Sequence, residues 1–238
     1  MQKGNSHQLT REQHVILVAS LRRFAAPDGL VEVHLRDGRT ARIQLDNQLF
    51  CVERLWDQRA EAGYMKAIED DFQALVDMLA TGRIGPLSPE EHRRITQYWL
   101  LWYWRNHFID SPLEDVRLNG IVGEQLTKDE KEILESQWAA FAVEGGKLPR
   151  RTLTGLRIQM AIDLGQNQLA NKRWGVLRSP HLNLAIGDRP GGLMSITASP
   201  RLLLAADNPD GELTQLEALR ANQAFISYSR SFVVVSRS

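Results

Sequence analysis

The hydrophobic period of this chain changes twice, and the order of those changes restricts the folds open to it. Over residues 30–45 apolar side chains alternate: Val31, Val33 and Leu35, then Ala41, Ile43 and Leu45, with Asp37-Gly38 between the two sets. Alternation on both sides of an Asp-Gly pair predicts a β-hairpin, because alternate strand residues face one way and Asp-Gly suits the tight turn. From about residue 50 to 172 the period becomes helical. Met65, Ile68, Phe72, Leu75, Val76 and Leu79 fall on one stripe. Ser88-Pro89-Glu90-Glu91 supplies an N-cap serine, a first-turn proline and a capping-box glutamate, and opens a helix through Tyr98 to Trp104. Thr127-Lys128-Asp129-Glu130 is a second capping box, for a helix through Trp138 and Phe141 that Gly145-Gly146 and Pro149 stop. Residues 152–172 read as a further helix. After Trp174 the apolar runs shorten to 176–177, 182–186, 202–206 and 232–235, which suit buried strands. A helix over 213–228 lies between the last two. Hairpin, then helices, then strands predicts one α+β domain over residues 1–238. Its helical subregion (about 50–172) is inserted between ends that build a small mixed or antiparallel sheet.

Composition narrows the function classes. Of 238 residues, 43% are hydrophobic, so the chain can bury a sizeable core without a disulfide or metal. Lys plus Arg and Asp plus Glu are both 29, which gives no global field for nucleic acid or an anionic membrane. Cys51 is the only cysteine, so an internal disulfide is ruled out. Between Phe50 and Val52 it reads as a buried, inert thiol. The apolar run over residues 15–19 is too short for a leader peptide. No stretch nears the ~20 apolar residues of a membrane helix, so a cytoplasmic protein is expected.

Several blocks carry a family resemblance. His14-Val15-Ile16-Leu17-Val18-Ala19-Ser20-Leu21-Arg22-Arg23-Phe24-Ala25 resembles the opening signature of the bacterial domain-of-unknown-function 4238 family. An Ile68-Glu69 block follows the hairpin. A helix introduced by Leu87-Ser88-Pro89-Glu90-Glu91 leads to Arg105. Gly187-Asp188-Arg189-Pro190 is similar to the family's Ser-Asp-Asn-Pro, Ser199-Pro200 to its later Leu-Ser-Pro, and 219–232 with Asn222 to its last helix and strand. The chain departs from the pattern at Leu17, Asn106-His107, Gly187 and Arg189. The resemblance implies a role in phage defence, with nucleic acid or a phage protein as partner, and carries no agreed reaction.

Four polar residues sit inside apolar blocks. Glu69 falls among Met65, Phe72 and Val76, and Arg105 shares a helix side with Tyr98 and Leu101. A buried carboxylate needs a partner, so a Glu69–Arg105 ion pair is expected, either structural or catalytic. Asp188 precedes Arg189-Pro190-Gly191-Gly192. It is expected at a bend open to a cleft, where it can hold a divalent cation such as Mg²⁺, orient water or accept a proton. The alternative is an aspartate that caps the backbone of its turn. His14 reads as a general base, a phosphate contact or a packed histidine. It lies on the same side as Glu12 only if the segment is extended. His107 is ambiguous in the same way, and His181 is a further candidate for the Asp188 cleft.

No His-Glu-x-x-His, Cys-x-x-Cys, P-loop, Gly-x-Gly-x-x-Gly or Gly-x-Ser-x-Gly occurs, so zinc is not expected. The aromatic run from Tyr98 to Trp104 covers all sides of its helix, which suits a central core helix first and a homo-oligomer interface second.

Two functions follow. One is a hydrolase acting on a phosphodiester or nucleotide: Asp188 and Glu69 hold a cation or water, His14 moves a proton and Arg105 neutralises developing charge. The other is a non-enzymatic sensor or interaction module, in which the same residues brace the two chain ends.

Overall fold

A computed structural model of the chain describes residues 7–82, 85–190 and 194–236. It begins with strand β1 (Glu12–His14) and helix α1 (Val18–Arg22). The expected hairpin follows as β2 (Val31–Leu35) and β3 (Thr40–Ile43), antiparallel, with Val31 opposite Ile43. Gly38 takes φ 87°, a left-handed conformation that glycine adopts without strain. Val31 and Val33 are buried, so the alternation marks the inner face. β4 (Cys51–Glu53) returns to pair with β1, placing Cys51 opposite His14.

A short α2 (Gln58–Ala60) runs through a π-helical turn, Glu61–Met65, into α3 (Lys66–Ala80). Gly63 breaks the helical dihedrals in that turn, with φ −99° and ψ −113°. Phe72, Leu75, Val76 and Leu79 are the buried face of α3, as the stripe predicts. α4 (Pro89–Asp110) opens on the Ser88–Glu91 capping box. Its sides feed different parts of the core. Ile95 and Tyr98 pack with Phe72 and Leu204, Trp102 with Phe50 and Phe232, and Leu101 and Phe108 with Trp56 and Ile158. That is the central core helix expected of an aromatic run on every side. Trp102 is buried and Trp99 and Trp104 half-buried; of this run only Tyr103, 42% exposed, faces out.

β5 (Val116–Arg117) precedes α5 (Lys128–Ser136), which opens on the Thr127–Glu130 capping box. The helix stops before Trp138, earlier than the spacing predicts. Trp138 turns left-handed at φ 62°, its N–H donates to Glu135 O at 3.0 Å, and Ala139 N–H donates to Leu134 O at 2.9 Å. That pair of bonds is a Schellman stop, normally signalled by glycine. Gly145 and Gly146 instead lie in the loop before β6 (Lys147–Leu148), which pairs with β5. α6 (Arg150–Gln168) then packs against α4.

The last third holds β7 (Trp174–Arg178), β8 (Ile186–Gly187), β9 (Ser195–Ser199), β10 (Leu202–Ala206), β11 (Gly211–Glu212), α7 (Gln215–Tyr228) and β12 (Phe232–Val235). The α+β expectation holds, with two four-stranded sheets in place of one. The order β3-β2-β12-β8 joins both chain ends and is antiparallel throughout. The order β11-β7-β10-β9 comes entirely from the last third and has one parallel pair, β11 with β7. Of the run over 182–186 only Ile186 enters a strand. Among the described residues no helix is long and apolar enough to cross a membrane.

Candidate functional site

The π turn, α3 and α4 gather two carboxylates around Arg105, the most buried charged side chain among the described residues. Arg105, 2% exposed, donates Nη1 to Glu69 Oε1, so the expected ion pair forms. Its Nη2 lies 3.5 Å from Glu61 Oε2 and 3.5 Å from Met65 Sδ, and the guanidinium stands 4.9 Å over the Trp56 ring. Glu61 Oε2 also accepts from Trp56 Nε1 at 2.5 Å. One guanidinium thus serves two carboxylates. Burial pushes the Glu69 carboxyl up, Arg105 opposes that rise, and Glu61 reinforces it. Burial works against the charge on Arg105 as well, but Glu69 and Glu61 more than offset it and hold the guanidinium above its ordinary value.

Glu61 was not legible from periodicity. In an unbroken α-helix, residues eight apart diverge by about 80°. The extra residue of the π turn takes up about one residue's rotation, ~100°, and brings Glu61 onto the same guanidinium as Glu69. Gly63, just ahead of the stripe that starts at Met65, was the available signal.

Asp188 follows β8, and the structure corrects its expected setting. It is 8% exposed rather than open to a cleft. Oδ1 accepts the Arg230 N–H at 2.8 Å and Oδ2 accepts the Ser231 N–H at 2.6 Å. Its own N–H donates to Phe232 O at 3.3 Å. The aspartate clamps the link from α7 to β12 instead of capping its own turn. Gly187 permits the approach: a Cβ there would stand 2.6 Å from Ser229 Oγ. Gly191 and Gly192 of the expected turn lie outside the described residues. Beside the clamp, Arg189 Nη2 reaches Asp110 Oδ2 at 2.8 Å, and Arg230 pairs with the same carboxylate.

His14 lies in β1, so the segment is extended and His14 shares a side with Glu12. Its Nε2 lies 3.4 Å from Leu45 O. The better-connected residue is Gln13, which sequence reading passed over. Its Oε1 accepts the N–H groups of Leu55 and Trp56 at 2.8 and 3.2 Å, and its Nε2 donates to Trp56 O at 2.9 Å. His107 is exposed and lies edge-on to Trp104, and His181 is exposed.

Glu69 and Arg105 therefore meet, while His14 and Asp188 each bond elsewhere. Among the described residues no three His, Cys, Asp or Glu side chains are grouped to hold a metal ion. Asp188 belongs to no such group, and each of its oxygens already accepts one amide hydrogen. Cys51 is half-buried rather than buried, and burial raises its thiol to about 11, which keeps it protonated and inert.

A cleft of about 280 Å³ lies between the start of α4 and the end of α6. His92 Nδ1 accepts the Trp174 N–H there at 3.0 Å, and Thr96 Oγ1 accepts from Trp174 Nε1 at 2.9 Å. Burial, with Arg173 nearby, lowers the His92 pKa and keeps the imidazole neutral near pH 7. No family model, curated protein or solved structure matches the chain.

Proposed function

We propose that this chain is a non-enzymatic binding module whose conspicuous polar residues serve as internal braces. The observation that carries this reading is the spending of both Asp188 oxygens on the amides of Arg230 and Ser231. A carboxylate so engaged is a poor base, since hydrogen bonds to its charged form favour that form. Arg105 supports the same reading: enclosed by Glu61 and Glu69, it would have to leave both to neutralise a substrate's charge. A nucleic acid or phage protein is compatible with a module that binds rather than cuts.

The test is Asp188→Ala, measured by thermal melting and by hydrolysis of a chromogenic phosphodiester with Mg²⁺. The change should lower stability by about 1–3 kcal/mol, because two part-buried amides lose a charged acceptor. Neither protein should turn the diester over. Turnover by the native chain that Asp188→Ala abolishes at unchanged stability would sink the reading.

One observation favours a hydrolase at another place. Glu61 and Glu69 share one cation, and burial inclines Glu69 to keep a proton, which is the division of labour between a base and an acid. Turnover lost in both Glu61→Gln and Glu69→Gln, but not in Asp188→Asn, would favour it.

A further inference from the structure

Residues 114–148 lead from α4 to α6 as an arm that carries β5, α5 and β6. The arm has no apolar anchor. The only side chains buried along it are Glu132 and Glu135 of α5, whereas Val116, Ile121, Val122 and Trp138 are exposed. None of its described residues joins the apolar clusters of the core. Its main-chain hydrogen bonds close on the arm itself. β5 pairs with β6, Leu118 N–H donates to Gly146 O at 2.8 Å, and Gly146 N–H donates to Val122 O at 2.6 Å. α5 brings its own capping box and its own stop.

The polar contacts that reach the body end on carboxylates of the arm. Glu135 accepts from Arg54 Nη2 at 2.7 Å, from Arg151 Nε at 2.6 Å and from the Gln58 N–H at 3.3 Å. Glu132 Oε1 lies 3.5 Å from Arg11 and 3.5 Å from Arg54. Asp129 lies 2.7 Å from His7 Nε2, and Asp115 accepts the Arg150 N–H at 2.8 Å. The Arg151 guanidinium also stands 5.9 Å over the Phe141 ring. The seam is not close-packed. A cleft of about 250 Å³ remains between Arg54 and Arg151 on the body and Asp115 and Lys131 on the arm.

An element held by buried apolar surface must wet that surface to leave. An element held by ion pairs loses the pairs but regains the hydration of its charges, and the two terms nearly offset. Elements with few buried apolar contacts are those that open below the global unfolding free energy. We propose that residues 114–148 are a charge-latched arm that swings off the folded body as a unit, with Glu132 and Glu135 as the latch and Arg11, Arg54 and Arg151 as its catch. The open state uncovers those three arginines while the core stays packed. The latch is independent of the Asp188 clamp and goes beyond the binding-module reading.

Pulsed electron spin resonance on the full chain tests it, with spin labels at Val122→Cys on the arm and Leu164→Cys on α6 in a Cys51→Ser background. Both labelled sites are exposed. The labelled chain should give a main distance and a minor, longer one. Glu135→Gln keeps the volume and an acceptor for the Gln58 N–H but removes the charge. It should raise the longer population about tenfold, as loss of a charged hydrogen bond requires. Its melting temperature should stay unchanged, because the core does not depend on the arm. Glu144→Gln, at an exposed carboxylate of the same arm, should leave both populations as they were. A single distance that Glu135→Gln leaves unaltered overturns the proposal. A lower melting temperature with that single distance would make the ion pairs ordinary bracing and overturn it too. An equal rise in Glu144→Gln overturns the assignment of the latch to α5.

Discussion

Arg105 is the residue on which Glu61 and Glu69 both depend. Remove it, and Glu61 and Glu69 face each other with no cation between them. Arg105→Met should therefore lower stability by about 3–5 kcal/mol, the cost of leaving an ion uncompensated in the interior, as read from urea unfolding. Glu69→Gln should cost less, since Glu61 still answers the guanidinium. The pH dependence has a definite sign. Glu69 has a folded pKa above its unfolded value, so the folded state holds the extra proton between the two. Stability then declines as pH rises from about 4.5 through the raised folded value. The advantage of native protein over Glu69→Gln should narrow across that window; an advantage that widened would mean the pair forms without a proton to lose. The Glu69–Arg105 pair was legible because each residue interrupts an apolar stripe. The Asp188 clamp was not, since its partners are main-chain amides 42 and 43 residues away, which no side-chain pattern announces.

Capping chemistry was the most legible feature at the level of elements. The Ser88 and Thr127 boxes form as the sequence predicts, each cap accepting from the residue three positions on and answered by a glutamate, while Thr214 and Glu217 form a third box that was not foreseen. Ser88→Ala should cost about 1 kcal/mol, measured by chemical denaturation, because α4 loses its cap where it enters the core. The early stop of α5 has its own test. Trp138 sits at φ 62°, where a side chain is strained, and is 52% exposed, so little packing depends on it. Trp138→Gly should stabilise the fold by about 1 kcal/mol, seen as a higher melting temperature. β9 escaped notice for a related reason. Serine and threonine occupy its alternate positions, Ser195, Thr197 and Ser199, and its assignment depends on pairing with β10. The π turn likewise requires tertiary partners to declare itself, and so Glu61 stayed hidden.

Taken whole, the molecule is closed by its two ends. β2, near the start, pairs with β12, the last strand, and β12 in turn pairs with β8. β12 is thus an inner strand of its sheet, and it delivers Phe232 and Val234 to the core that contains Ile16, Val31 and Trp102. The α+β order of the sequence foretold this joining, because only the ends carried strand patterns. It did not foretell the second sheet, since β7, β10 and β9 find partners among themselves. Asp188 holds the link to β12 in place, so clamp and strand should act as one unit. Truncation after Tyr228 removes the strand, both clamped amides and three buried side chains, Phe232, Val233 and Val234, together. It also exposes the edges of β2 and β8, which lack charges dense enough to block pairing with other chains. The truncated protein should show no cooperative unfolding by near-ultraviolet dichroism and should aggregate, whereas full-length Asp188→Ala should unfold cooperatively at a lower temperature. A truncated chain that melted cooperatively would mean that the helical body and the second sheet fold without the first. The ends would then be an appendage rather than the closure of the core.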